Sequence, residues 1–589
     1  MLVATILRRR RGDWLTAFMA AALPCLASAM SVSLVPSTPS PAPVGTVVTW
    51  TAKVSDPDPG TLWYRFSAHE SGQESGVIKD YGPDAALDWT ANDHEGLYIV
   101  EVSVRNTDTG DTATDVASFQ MNSLVIGGRP VIIPTSHPLV FLYSAPSCGA
   151  SARMRVRFTG SDGVARSTPF RDCRPGLSMN FYLAGLRPQM DYSVNHIVDT
   201  GSALVEGPAL PLTTPSAPLA LATQTVLQPP VAPIPDGILL QATIMTNSLA
   251  TDLNGNLLWY YPGNVTFVTR PEPGGRFFAI VEDQAGDQSR QIVREFDLTG
   301  MTVLETNAAR INEQLTAMGM RSISAFHHEA RRLPDGRILV LGAVEQILTD
   351  VQGPGPIDVL GDMIIVMDSN LQLLWAWDAF DHLDVTRLAT LNDQCAPGTC
   401  PSLFLDVTAN DWLHGNSVQQ TPDGNLLYSS RSQDWVIKID YQKGFGGGDV
   451  IWRLGKDGDF QINSTDPSPW FSHQHDPQFL ADNTTITLFD NGNVRNFLDP
   501  TANSRGQVIQ LDEQNHIANL IVNIDMGQFS FALGAAQKLP NGNYHFEVGF
   551  LLDGTSIAVE VDPSGNTVYA LQAGAPEYRS FRMHDLYTP

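Results

Sequence analysis

The sequence predicts an all-β protein, a six-bladed β-propeller preceded by two β-sandwich modules. Three observations predict it. Charged residues make up only 17% of the chain, while 48 glycines and 40 prolines punctuate it, the composition of a turn-rich globular protein. Apolar and polar residues alternate in short runs, the two-residue period of half-buried strands. One type of turn recurs six times at a common phase, as in folds that repeat a single supersecondary unit.

Residues 1–29 read as an export signal. Arg8, Arg9, Arg10 and Arg11 form a charged head, an apolar run extends from Trp14 to Leu26, and Ala27-Ser28-Ala29 provides a small-residue cleavage site. The run is shorter than the about 20 residues that a membrane span needs, and no later segment is long and apolar enough. The expectation is therefore a periplasmic or secreted protein with no membrane span after signal cleavage. Residues 30–123 contain VVTWTAKVSD, LWYRFSA, ALDWTA, LYIVEVSVRN and ATDVASFQM, strands at sandwich spacing separated by Asp, Pro, Gly and Asn turns. Residues 127–214 read as a second sandwich, and the proline-rich segment 215–235 as a linker.

From 236 to 589 the repeat takes over. Its turns are of the PDG or PNG type, in IPDGILLQATI, LPDGRILVLGA, TPDGNLLYSSR and LPNGNYHFEVG, with weaker copies in EPGGRFFAIVE and LADNTTITLFD. Most copies lead to a strand ending in Asp and a turn (IVREFDLTG, IIVMDSN, VIKIDYQK, VIQLDEQN) and then to a fourth strand such as LQLLWAWD or VIWRLGK. Four antiparallel strands per copy and six copies describe a propeller.

The formal charge of −26 excludes nucleic acid as a partner, because phosphate binding needs a basic surface. Any anion site must carry its own local positive charge. Cys25 lies in the signal, leaving an even four cysteines in an exported chain, which predicts the bridges Cys148–Cys173 and Cys395–Cys400. The spacing of CAPGTC would also suit zinc, but no second pair of ligands stands at a matching distance, so no metal is expected.

The first strand of each blade should line the central channel, with side chains alternating between faces. Aligned on Pro334, Pro422, Ala481 and Pro540, the positions six residues earlier hold His328, Asn416, His475 and Gly534. Eight residues earlier, on the same face, stand Phe326, His414, His473 and Ala532. Arg431, seven residues after Gly424, returns to the height of Asn416. Imidazoles, a guanidinium and an amide gathered in one channel suit an oxyanion, with histidine available as nucleophile, acid or base. The competing reading of any one of these histidines is a buried structural residue.

Several stretches carry resemblances. DHEGLYIVEVSVRN resembles the late strands of immunoglobulin-like PKD-type modules, and GLRPQMDYSVNHIV resembles the fibronectin type III pattern. Neither module shows a catalytic cluster. FHHEARRLPDGRILVL, DWLHGNSVQQTPDGNLLYSSRSQDWVIKID, IWRLGK, HQHDPQFLADNTTITLFDNG and the terminal EYRSFRMHDLY resemble the bacterial arylsulfate sulfotransferases that work without PAPS. That resemblance implies a six-bladed propeller, a periplasmic location, and ping-pong transfer of a sulfuryl group from an aryl sulfate donor to a phenolic acceptor through a sulfo-histidine. Carried over by motif, the nucleophile falls on His475. His328 takes the position of the histidine in FHHE, with His327 as the other register. His414, Asn416 and Arg431 fall in the sulfuryl-binding set. The chain departs from the family's pattern in three ways: His473 adds an imidazole, the cysteine pair precedes DWLHGNS, and Gly534 stands where the last blade would offer a polar side chain.

No nucleotide cofactor is expected, since no phosphate-cradling loop is present. The sequence leaves open whether the protein pairs as a homodimer. Two rival functions remain at this level: a non-catalytic propeller that binds sulfated or other anionic ligands, and a metal-dependent hydrolase using the histidines with Asp476 and Glu329.

Overall fold

Alternating burial runs along the strands as the sequence pattern requires. Gly96–Asn106 buries Val100, Val102, Val104 and Asn106 on one face and leaves the residues between them partly exposed. The computed structural model describes residues 29–589 except 57, 219, 232–236, 264–266, 284 and 397–399. The expected export signal up to residue 28, and the turn of the first repeat copy up to Asp236, lie outside the described residues.

The chain is mostly β, in many antiparallel sheets. Near the N-terminus, Ser31–Pro36, Val48–Ser55 and Ala86–Trp89 form one sheet. It packs against a second sheet, with Trp50, Phe66, Leu87, Val102 and Phe119 between them. The next segment forms two sheets around Tyr143, Val156, Phe158, Phe181 and Val194, and carries the Cys148–Cys173 disulfide.

Six sheets carry the rest of the chain, one of them continuous with the second sheet near the N-terminus. Their innermost strands, in chain order, are β1 (Phe267–Glu272), β2 (Ala325–Arg332), β3 (Gly415–Gln420), β4 (His475–Phe479), β5 (Ala535–Lys538) and β6 (Glu577–Met583). Strands β1 to β5 each open a sheet of sequential antiparallel strands. Strand β6 instead comes from the C-terminus and pairs with Ile238–Thr243, completing the sheet that begins the series. The inner strands are neighbours in order from β1 to β6. Arg579 of β6 donates to the Thr269 carbonyl of β1, which closes the ring.

Two expectations need correction. The segment expected as a linker contains the strand Gln224–Gln228, which pairs with Thr567–Ala573 at the outer edge of the sixth sheet. Its QTVLQ core is free of proline and alternates in burial, so it can join a ladder where the flanking prolines cannot. The two-residue phase used to align the histidines also breaks down. Register shifts interrupt β1 at Val268/Arg270, β2 at Phe326/Ala330, β3 at Gly415/Ser417 and β4 at His475/Gln478. An extra residue in one strand turns the side chains that follow it to a different face.

Candidate active site

The register shifts sit where the histidines are. His328, His414, His473 and Asp476 all adopt left-handed φ between 49° and 56°, a region that residues other than glycine seldom occupy. Such outliers cluster at functional sites, where the surrounding structure holds them. Here they re-aim side chains from three neighbouring inner strands. The His328 ring packs edge-on against that of His414, with centroids 4.9 Å apart, and lies 5.7 Å from the Tyr578 ring. His475 interacts electrostatically with His328, His414 and Arg431. The site therefore combines His328 and His475 from one alignment row with His414 from the other.

His475 is 2% exposed, and its Nδ1 lies 2.7 Å from Asn491 Oδ1. The Asn491 amide nitrogen donates to the carbonyls of Ser530 and Leu533, at 2.8 and 3.0 Å, which assigns its oxygen to the imidazole. His475 must then carry its proton on Nδ1, leaving the lone pair on Nε2. Burial, followed by Arg431, pushes the His475 pKa well below the ordinary histidine value, so the ring is neutral.

His473, two residues away, has the opposite electrostatics. It is fully buried, with Nδ1 3.0 Å from Asp434 and Nε2 3.1 Å from Asp393. Burial and Arg431 oppose its charge, but the two carboxylates outweigh them and raise its pKa. His473, the added imidazole, thus has both ring nitrogens turned to carboxylates, so neither N–H is left open to a ligand.

Asn416, expected in the sulfuryl-binding set, lies on β3. It is fully buried, and its amide donates to the Gln474 carbonyl at 2.7 Å. Its side-chain oxygen meets no hydrogen-bond partner among the described residues, and its backbone carbonyl receives Tyr578 and Arg579. Arg431 is 9% exposed, approaches Asp393 at 3.4 Å, and has a buried Nε that meets no hydrogen-bond partner among the described residues. A buried donor of this kind is costly unless something accepts from it. His414 turns Nδ1 to Asp411 at 2.6 Å. His327 lies behind His328, with the two Nδ1 atoms 2.8 Å apart. Gly534 has φ of 141°, and an added Cβ would collide with the Phe489 ring, so no side chain fits there. The Ser530 hydroxyl donates to the Ala532 carbonyl, while the Ser530 carbonyl supports Asn491.

Beneath the histidines lies a buried ionic layer. Arg270 pairs with Glu329 and Asp476, and Arg579 reaches Glu329 at 3.1 Å. Burial alone would raise the Glu329 carboxyl, but Arg270 and Arg579 hold it down at about 2. Glu329 and Asp476 are thus engaged by guanidiniums, which removes the ligand set of the metal-hydrolase reading. Among the described residues the grouping with metal-ligand spacing is Cys395, Cys400 and Asp411. Its two cysteines are joined in a disulfide, so they offer no thiolate.

Both expected disulfides are present. Gln394–Cys395 pairs with Ala409–Asp411, so the bridged loop is flanked by Asp393 and Asp411. These two carboxylates hold His473 and His414. The residues that sequence reasoning missed are Asn491, Asp393, Asp411, Arg270, Tyr578 and Arg579. Asn491 had a signal, as it lies in the LFDNG stretch, and Tyr578 and Arg579 lie in EYRSFRMHDLY.

A family model described as Arylsulfotransferase (ASST) matches residues 216–579. No curated protein matches the chain. A solved two-domain fibronectin type III segment from chicken tenascin is similar at 15% identity over 31% of this chain and 98% of that one, with a TM-score of 0.14.

Proposed function

Because the chain belongs to the arylsulfotransferase (ASST) family, we propose that it moves a sulfuryl group from an aryl sulfate ester to a phenolic acceptor through a covalent sulfo-histidine. The family suggests the activity, and one observation carries the mechanism: Asn491, fixed by the Ser530 and Leu533 carbonyls, holds the His475 proton on Nδ1, while burial and Arg431 push the ring's pKa down. An imidazole in that state offers Nε2 to an electrophile without first losing a proton. In the first half-reaction Nε2 attacks sulfur and the bond from sulfur to the aryl oxygen breaks, its electron pair leaving on that oxygen. Arg431, with its unpartnered Nε, and the imidazoles of His328 and His414 stand against the sulfuryl oxygens and the departing oxygen. A phenol then takes the group from His475 by the reverse path. This reading needs no nucleotide. The six sheets with their ring of inner strands support a six-bladed propeller whose axis carries the site, entered after the two sandwich modules. The arginine head of the sequence and the two disulfides support export to the periplasm or beyond.

The test is turnover of a chromogenic aryl sulfate with and without added phenol. Transfer predicts a rate that depends on the acceptor. Without acceptor, it predicts one burst of phenol and one sulfuryl group on the peptide containing SHQHDPQF. His475→Asn should abolish both. Acceptor-independent turnover, or a label that survives in that variant, would refute the reading, and binding without turnover would establish the non-catalytic alternative.

A further inference from the structure

Transfer between phenols needs a group that gives a proton to a departing oxygen and later takes one from the acceptor. His328 stands beside His414 at the reacting position, yet it is poorly placed to hold a charge. Burial first, then His414, His327, His475 and Arg579, push its pKa well below the ordinary value. An imidazolium at His328 is therefore not available as an acid near neutral pH.

The side chains behind it offer another route. His328 Nδ1 and His327 Nδ1 are 2.8 Å apart, a separation at which two ring nitrogens share one proton between them. On its far side His327 Nε2 lies 2.9 Å from Asp362 Oδ1, at ion-pair distance although the N–H is not aimed squarely at that oxygen. Asp362 is 2% exposed and accepts from the Gly415 amide at 2.7 Å and from the Tyr428 hydroxyl. Burial would raise its carboxyl, but His327, Tyr428 and Gly415 outweigh that and hold it ionised. The charged and titratable groups facing His327 are Asp362 from Pro356–Met367, His328 on its own strand, and Glu282 just after Arg276–Val281. A proton placed on His327 therefore meets the ionised Asp362 and the Glu282 carboxyl, whose pKa burial raises and His327 pulls back down. One placed on His328 meets other cations.

We propose that His327 and Asp362 form a proton relay that lets His328 serve as acid in one half-reaction and base in the other without becoming an imidazolium. The relay rests on the transferase reading above. At the start His327 carries protons on both nitrogens, opposite ionised Asp362, and neutral His328 carries its proton on Nε2. His475 Nε2 attacks sulfur, and the electron pair of the broken sulfur–oxygen bond leaves on the aryl oxygen. That oxygen takes the proton from His328 Nε2, while His328 Nδ1 takes the proton from His327 Nδ1. His327 is left neutral, with its Nε2 proton toward Asp362. In the second half-reaction the acceptor oxygen attacks sulfur and its proton passes to His328 Nε2. The nitrogen–sulfur bond breaks onto His475, and the proton on His328 Nδ1 returns to His327.

The test compares single-turnover bursts with para-nitrophenyl sulfate, whose leaving oxygen hardly needs a proton, and with phenyl sulfate, whose leaving oxygen does. His327→Gln cannot pass a proton. It should lose activity with both donors, and the loss should be roughly 100-fold greater with phenyl sulfate, the order of a general-acid contribution. Asp362→Asn should show the same selective loss in milder form. In mixtures of light and heavy water, the unaltered protein should give a curved dependence of the phenyl sulfate burst on deuterium fraction, because two protons move together. Equal losses with both donors, or a straight-line isotope dependence, overturn the relay while leaving the transferase reading intact. If His327→Gln does not fold, Asp362→Asn and the isotope measurement decide. No burst from the unaltered protein overturns the transferase reading, and the relay with it.

Discussion

His475 and His473 are the same residue type two positions apart, and their surroundings assign them opposite protonation. His475 faces Arg431 and an amide, while His473 is clamped by Asp393 and Asp434. The pH consequences have opposite signs. His475 is neutral above its depressed pKa, so the burst rate should hold as pH falls through about 6.5, the ordinary histidine value, and drop only well below it. A rate that halves near that value would show a normally titrating nucleophile. His473 has a raised pKa, so its contribution to stability is fully present below about pH 6.5 and is lost as pH rises through its folded value. Asp393, held at about 2, contributes above its ordinary value near about 3.9 and loses that contribution as pH falls toward 2. Asn491 decides which nitrogen of His475 attacks. Asn491→Ala should cut the burst rate by at least about 100-fold while leaving donor affinity nearly unchanged, as happens when a residue fixing a catalytic imidazole's tautomer is lost. A loss confined to KM would contradict that role.

At the scale of elements, the site depends on strand irregularities and on one bridged loop. The loop closed by Cys395–Cys400 spans a sequence separation of only 5, against 25 for Cys148–Cys173. Closing a short loop removes less chain entropy, so the smaller bridge contributes the less to global stability. Its position matters more, because Asp393 and Asp411 flank it and hold His473 and His414. Cys395→Ser with Cys400→Ser should therefore reduce the burst rate several-fold or more while shifting the melting temperature only slightly. A large fall in melting temperature with full activity would reverse this assignment.

At the scale of the whole molecule, the N-terminal modules are joined to the ring of sheets. Gly76–Gly82 runs parallel to Thr302–Asn307, so one nine-stranded sheet passes from the first module into the ring. Arg310 lies 3.3 Å from Asp80 and Arg105 lies 2.6 Å from Glu313 across the same junction, and Asn307 donates to the Tyr81 carbonyl. The Tyr587 hydroxyl bonds to the second module, accepting from the Ala184 amide and donating to the Tyr182 carbonyl. Arg310→Ala strips buried Asp80 of its nearest cation and should cost about 1–3 kcal/mol of stability, read as a lower melting temperature, without changing the burst. An unchanged melting temperature would mean that the junction contributes nothing.

The sequence by itself determined the β class and both disulfides, because period, turn chemistry and cysteine spacing are local properties. It could not set where the side chains around His328, His414 and His473 point, since a strict two-residue phase cannot anticipate a bulge whose left-handed residue re-aims them. Tertiary structure alone decided the rest. Tyr578 and Arg579 reach the site because the C-terminal strand closes the ring beside β1, hundreds of residues away in sequence. Asn491 meets His475 only because Thr485–Asp490 pairs with β4, and Asp393 reaches His473 only because the bridged loop folds back. Protonation state depends on the sum of burial and neighbouring charge at one point in space, and no run of sequence specifies that sum.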